Sequence, residues 1–503
     1  MMLEELVGQR LMFGLPGPRL RTEDVRLFRE THAGGLILYR RNFESAEGLV
    51  RLVEGLEEAL ERRLLVATDH EGGRVIMFRD AVTIFPDNLA VAAGESHFAR
   101  RQGQIEAREL RRLGVDLNLA PVVDLLTDAY SPNIGTRSYG KDPTLVVSFG
   151  AARIGGMQTS GLSACAKHFP GKGHSPLDAH LRLPTITSTW KEMRGSHLVP
   201  FVAAIEAGVH AIMTSHPLYP NLDPTPRTPA TFSRRIVGEC LRETLGFTGV
   251  IVSDDLEMGA IGELSGIGEA AVRAARAGHD LLLVCHTESA QREARGTLLE
   301  AYRAKHLPLS ELEASVERIQ KLKAKRTLRS EEGPPRAERD GSPLAKAMAT
   351  WALTRLTPDS PGFRQRLNGR VAVVFPRLSS LADRITIEAQ LLDEAHYLTA
   401  AVRPYGIAPE IQLVAIEPEP DEISRAAKLA RDADATILFL FDAHLYPSNK
   451  ALLDRLQETA RALAVVPLRD PYDAEFLKAP VLGLTAFGFR LCQLEAVLAR
   501  LLA

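Results

Sequence analysis

The stretch LLVATDHEGGR (64–74) decides the fold. Its first half is a short apolar run that ends in a carboxylate, and its second half is charged and glycine-rich. A continuous apolar run of this length, bounded by turn residues, suits a strand covered on both faces. The same construction recurs. RLMFGL (10–15), GLILY (35–39), VDLNLA (115–120), SACAKH (163–168), AIMTS (211–215), VIVSD (250–254) and DLLLV (280–284) bring the number of such runs to eight, with helix-like material between them. Eight strand–helix units within the first 290 residues predict an α/β fold of the (β/α)8 TIM-barrel type rather than an open sheet. The third and fourth runs lie far apart, so an extra loop is expected around IFPDNLAVAAG (84–94).

The segments after these runs carry the chemistry. LLVATD leads into DHEGGR (69–74), SACAKH into FPGKGHSPLDAH (169–180), AIMTS into His216, and VIVSD ends in Asp254 and Asp255. Active sites of this fold lie at the C-terminal ends of the strands. Polar residues gathered at that one end are what a catalytic barrel requires.

Farther along, ELEASVERIQKLKAKR (311–326) reads as the helix that closes the barrel. RTLRSEEGPPRAERDGSP (326–343) is rich in Pro, Gly and charge of both signs, which reads as a solvated connector. Strands resume at RVAVVFP (370–376), IQLVAIE (411–417), ATILFLF (435–441), LAVVPL (463–468) and PVLGLTAF (480–487), which predict a smaller α/β sandwich with a parallel sheet. The expected organisation is a catalytic barrel over 1–326, a linker over 327–344 and a C-terminal domain over 345–503. No GxGxxG or P-loop occurs in the second part.

Composition limits the class of function. The chain has 503 residues, 45% hydrophobic and 25% charged, with Lys+Arg 61 against Asp+Glu 63 and a net charge of -2. This balance gives no reason to expect nucleic acid or an acidic membrane as a partner. The start MMLEELVGQRLMFG lacks the basic segment and apolar stretch of a signal peptide, and no apolar run approaches a membrane span. Cys165, Cys240, Cys285 and Cys492 form no CxxC pair and read as reduced buried thiols, so a cytoplasmic protein is expected.

Three groups of residues are candidates for chemistry. Asp254, at the end of a strand, can be aimed into the barrel mouth to attack an anomeric carbon, although Ser253, Asp254 and Asp255 also suit the cap of a following helix. Asp178 and His180 lie two apart in SPLDAHLRLP. In an extended segment they project to one side, where the carboxylate orients the imidazole as a general acid/base; an ordinary surface loop fits the same letters. His168, His174 and His180, with His70, invite a metal reading, but the His-x-His of a metal-dependent barrel hydrolase is missing, and no metal is expected. The glycines of DHEGGR and FPGKG read as turn formers more readily than as a phosphate cradle.

Taken together, DHEGGRV (69–75), NLAPVVDL (118–125), NIGTRSYG (133–140), KHFPGKG (167–173), DAHLRLP (178–184), SHPLYPNLD with PATFS (215–233) and SDDLEMGAI (253–261) resemble glycoside hydrolase family 3, in its β-N-acetylhexosaminidase branch. The resemblance implies a retaining exo-β-N-acetylhexosaminidase acting on a small saccharide, through a covalent glycosyl-enzyme and without cofactor. It implies cell-wall-derived sugars as substrates. It further implies Asp254 as nucleophile, His180 as acid/base with Asp178 as its dyad partner, and Asp69, Arg137, Lys167 and His168 as holders of sugar hydroxyls. The chain departs from the branch at Met77, where an Arg is usual, at Lys172, where the turn usually has His, and at Ala179, where Ser is common. Two other readings stay open: a phosphorylase, in which phosphate releases the sugar, and a sugar-binding protein with a weakened site.

Overall fold

The computed structural model describes residues 1–127, 131, 133–174, 183–325, 341–358 and 361–502. Each of the eight expected runs holds a strand: β1 Leu11–Gly14, β2 Gly35–Leu38, β3 Leu65–Thr68, β4 Leu117–Asn118, β5 Ser163–Phe169, β6 Ala211–Thr214, β7 Val250–Val252 and β8 Leu282–Val284. All neighbours pair in parallel, in the order β7-β6-β5-β4-β3-β2-β1-β8. A parallel bridge between Val252 and Leu281 joins the two ends of that series, so the sheet closes into a barrel.

The strands read as unbroken apolar runs because both of their faces are buried. Leu65 and Ala67 point into the barrel, where they meet Met12, Ile37, Leu117 and Val250, while Val66 points outward into the larger cluster beneath the helices. The outer layer follows helical spacing. In the helix Ala46–Leu60, Leu49, Leu52, Val53 and Leu56 form one buried stripe, the Ser45 side chain accepts the Gly48 N–H at 3.0 Å as the cap, and Glu61 ends the helix in the left-handed region. The helices Ser96–Arg112 and Pro143–Thr159 press together through glycine. A Cβ on Gly156 would come within 2.1 Å of the Arg100 carbonyl oxygen.

The closing helix runs over Leu309–Ala324. Beyond the undescribed residues 326–340 the chain resumes with the helix Ser342–Trp351, which packs against both the barrel helix Asn88–Val91 and the C-terminal helix Leu491–Leu502.

A second sheet follows, with β9 Thr354–Arg355, β10 Val371–Pro376, β11 Glu410–Val414, β12 Ala435–Leu440, β13 Leu463–Pro467 and β14 Leu482–Thr485 in the order β11-β10-β12-β13-β14-β9. The five expected strands are parallel. The sixth, β9, pairs antiparallel with β14 and has no counterpart among the sequence expectations. Two residues, Thr and Arg, give no apolar run to read.

The sandwich grips the barrel loop 72–79. The fully buried Arg490 donates from Nε to the Gly73 carbonyl and from Nη1 to the Thr386 carbonyl, both at 2.7 Å. Thr386 donates in turn to the Ile76 carbonyl, and Arg79 donates to the Ile387 carbonyl at 3.0 Å. Gly73 is required in this loop: its φ is 52°, and a Cβ there would meet an Asp87 carboxylate oxygen at 2.4 Å. Among the described residues no helix is long and apolar enough to cross a membrane.

Candidate active site

At the C-terminal mouth of the barrel, consecutive strands deliver charged side chains to one place. Asp69 follows β3, Asp124 lies beyond β4, Lys167 and His168 belong to β5, His216 follows β6 and Asp254 follows β7. The helix-cap reading of Asp254 does not hold for the next helix, Gly259–Gly262, whose cap is Met258. The neighbours are used locally instead. Ser253 Oγ accepts the Leu283 N–H at 3.0 Å, and Asp255 accepts the Glu257 N–H at 3.1 Å and pairs with His286 at 3.0 Å. Asp254 keeps 18% of its side chain exposed and stands 3.9 Å from Lys172 Nζ.

Asp69, Lys167 and Arg137 come together around a residue to which the sequence reading gave no role, Glu71. Arg137 donates to both Glu71 oxygens at 2.7 Å, and Lys167 reaches Glu71 at 2.7 Å while also pairing with Asp69. Burial alone would raise the Glu71 carboxyl, but Arg137 and Lys167 outweigh it and hold the group well below the usual carboxylate range. The same contacts hold the Lys167 ammonium above its ordinary range: burial disfavours its charge, and Asp69 and Glu71 overcome that. Asp69 is pushed upward, first by burial and against the pull of Lys167. Its side chain remains 20% exposed, and Asp254 lies near enough to act on its charge.

His168 is organised by a second unassigned residue, Asp124. The carboxylate lies 2.7 Å from His168 Nδ1 and accepts the backbone N–H groups of His168 at 3.1 Å and of Lys172 at 2.8 Å. Burial lifts the Asp124 carboxyl to about 6, against the opposing charge of Lys172. His216 Nε2 donates to the Asp255 carbonyl at 2.9 Å, which fixes the loop carrying Asp254. Glu71 and Asp124 both sit inside motifs quoted above, in DHEGGRV and NLAPVVDL. The available signal was a carboxylate just after a strand.

Asp178 and His180 lie outside the described residues. Of the other histidines weighed as ligands, His70 is completely buried, and burial beside Arg153 lowers its imidazole to about 3. His174 is exposed, with Nδ1 3.2 Å from Thr127 Oγ1. The departures separate as well. Met77 is half-buried and packs with the apolar cluster of the barrel, whereas Lys172 is buried beside Asp254. Burial lowers the Lys172 ammonium, and Asp254 opposes that.

A cleft of about 580 Å³ opens between the barrel mouth and the second sheet. Arg74, Asn133 and Arg137 line it from the barrel, and Ile416, Phe441, Tyr446 and Arg469 from the sandwich. Arg137 therefore touches both the Glu71 cluster and this cleft.

The family model described as glycosyl hydrolase family 3 N terminal domain matches residues 2–322. A β-hexosaminidase of Tolumonas auensis is 39% identical over 288 residues, covering 56% of this chain and 83% of that one. A glycoside hydrolase family 3 β-N-acetylglucosaminidase from Paenibacillus sp. superposes with a TM-score of 0.93 at 30% identity, over 100% of this chain and 96% of that one. NagZ from Neisseria gonorrhoeae, solved in complex with N-trifluoroacetyl-D-glucosamine, superposes with a TM-score of 0.52 at 31% identity over 62% of this chain and 97% of that one. The chain belongs to glycosyl hydrolase family 3 and is a glycoside hydrolase.

Proposed function

We propose that this family member is a retaining exo-β-N-acetylhexosaminidase in which Asp254 is the nucleophile. The observation that carries the reading is the position of Asp254: a partly exposed carboxylate beyond β7, beside Lys172, at the strand ends that also present Asp69 and Lys167, which Arg137 joins from the turn Gly135–Arg137. A carboxylate there attacks the anomeric carbon as the aglycone leaves, and water then attacks the same carbon of the glycosyl-enzyme and frees the carboxylate, with overall retention. Lys172 contributes a positive charge that favours the ionised, attacking form of Asp254.

Asp69, Lys167, Arg137 and His168 are assigned to sugar hydroxyls, with one carboxylate to accept and three groups to donate. Glu71 and Asp124 act through them as positioning residues. His180, oriented by Asp178, is assigned as the acid that protonates the leaving oxygen and the base that activates water. The chemistry belongs to the unit 1–326, and the cleft shared with the unit 345–503 is where an aglycone leaves the barrel mouth. The names of the relatives support an N-acetylhexosamine as the sugar. Cell-wall fragments recycled in the cytoplasm are the substrate source we assign, and no cofactor enters the reaction.

A panel of chromogenic β-N-acetylglucosaminide, β-glucoside and β-xyloside tests this directly. We expect the N-acetylglucosaminide to be preferred by at least tenfold in kcat/KM. Equal or better turnover of the glucoside contradicts the sugar assignment. His180→Ala is expected to cost ~10²–10⁴-fold on poor leaving groups and much less on nitrophenols. Equal losses on both contradict the acid role.

A further inference from the structure

A second cluster of ionisable side chains lies where adjacent strands of the second sheet end. Asp442 and His444 follow β12, and Asp470 follows β13. One ligand-type atom from each lies within 4.8 Å of the others. Asp442 is 1% exposed and Asp470 is 2% exposed. Asp442 Oδ2 accepts from Arg469 Nη1, but its Oδ1 and Oδ1 of Asp470 are buried with no hydrogen-bond partner among the described residues. A buried carboxylate oxygen left in this state is costly unless a cation or a proton satisfies it.

The histidine is already oriented. Asp473 accepts the backbone N–H groups of Ala443 at 3.0 Å and His444 at 2.8 Å, and lies 2.8 Å from His444 Nδ1. A carboxylate on one ring nitrogen fixes the tautomer and ring plane of a metal-binding imidazole, so the coordinating nitrogen is Nε2. Charge leaves room for a cation. With all three carboxylates ionised, as ligands to a cation are, Asp442, Asp470 and Asp473 face Arg469 and Arg74, which leaves one net negative charge among these groups when the imidazole is neutral.

We propose that Asp442, His444 and Asp470 bind a divalent transition-metal cation of the zinc type. One nitrogen and two carboxylate oxygens form the mixed set that such ions take, with water completing the coordination. Calcium and magnesium prefer all-oxygen sites with more ligands. The position gives the site a structural effect. A Cβ on Gly135 would meet Asp470 Oδ2 at 2.7 Å, and Gly135–Arg137 is the barrel turn that carries Arg137. A cation here ties the strand ends of the sandwich to the loop beneath Arg137.

The test uses the full chain, stripped with chelator, re-equilibrated with Zn²⁺ alone at neutral pH and passed through gel filtration before elemental analysis. The wild type is expected to hold one equivalent more than Asp470→Asn or His444→Gln, and both variants are expected to bind at least tenfold more weakly in competition with a chromogenic chelator. Zn²⁺ is expected to raise the Tm of the wild type and to leave that of Asp470→Asn unchanged. Asp254→Asn is expected to retain the equivalent, which separates this site from zinc held at the catalytic mouth. Asp470→Asn, checked by its cooperative thermal transition, serves if His444→Gln fails to fold. Equal zinc in the wild type and folded Asp470→Asn, or no zinc retained by the wild type, overturns the proposal and leaves a proton on His444 as the balancing charge.

Discussion

Glu71 and Asp442 are both buried carboxylates just beyond the end of a parallel strand, one in each domain, yet their surroundings are opposite. Both oxygens of Glu71 are taken by Arg137, with Lys167 added, and the group is held well below the ordinary carboxylate range against its burial. Asp442 has Arg469 on one oxygen and nothing among the described residues on the other; burial pushes its carboxyl well above that range. Burial sets the cost of a charge in either place, and the number of cations delivered to it decides whether the charge survives. At the barrel mouth Arg137 and Lys167 offset that cost and the Glu71 carboxylate stays ionised. At the sandwich one oxygen of Asp442 is left for a proton or a cation.

The largest effect is expected from deleting residues 341–503, which removes the sandwich while leaving every barrel strand in place. Gly73 and Ile76 then lose Arg490 and Thr386, and the face beneath the helix Ser342–Trp351 becomes exposed. The fragment is expected to aggregate or to lack a cooperative thermal transition. A soluble fragment with full activity would show that the barrel mouth needs nothing from its partner.

Substitution within each cluster sharpens the contrast. Glu71→Gln leaves Arg137 a buried charge without its carboxylate and Lys167 with Asp69 alone, and a loss of about 3–5 kcal/mol in urea unfolding is expected, together with most of kcat/KM. Asp442→Asn removes a carboxylate that is poorly satisfied, so about 1 kcal/mol or less is expected. A reversed ranking breaks the comparison.

Asp124 gives the pH counterpart. Its folded value of about 6 lies above the ordinary 3.8, so its contribution to stability is complete below 3.8 and is lost as pH rises through about 6. Asp124→Asn is expected to remove roughly 2–3 kcal/mol of pH dependence across that window, read from unfolding at a series of pH values. An unchanged profile contradicts the lifting of the Asp124 carboxyl by burial. The smallest effect is expected at Lys172. Lys172→Gln takes a positive charge from beside Asp254, so the acidic limb of kcat/KM is expected to move upward. A downward shift contradicts the electrostatic role of Lys172.

Much of this was legible before any coordinates. The eight barrel strands are readable because each is buried on both faces and so apolar without interruption, as LLVATD and VIVSD illustrate. Two-residue β9 carries no such run. Asp69, Lys167 and Arg137 were singled out, but the group that joins them, Glu71, was not, because the contact links residues 66 apart in the chain. Asp124 and His168 escaped as a pair for the same reason. The sandwich cluster gave no sequence signal: DAHLYPSNK reads as the polar end of a strand until Asp470, from the next strand, is placed beside it. The departures at Met77 and Lys172 look alike in the sequence, yet one packs in apolar surroundings and the other lies beside Asp254.

The central claim is that Asp254 forms the covalent intermediate. A fluorinated N-acetylglucosaminide, which slows both formation and release of the intermediate, should leave one added sugar on the intact protein by mass spectrometry. Peptide mapping is expected to place that sugar on Asp254, and Asp254→Ala is expected to show no adduct while keeping the thermal transition of the wild type. A sugar found on another residue, or full turnover by Asp254→Ala, contradicts the account.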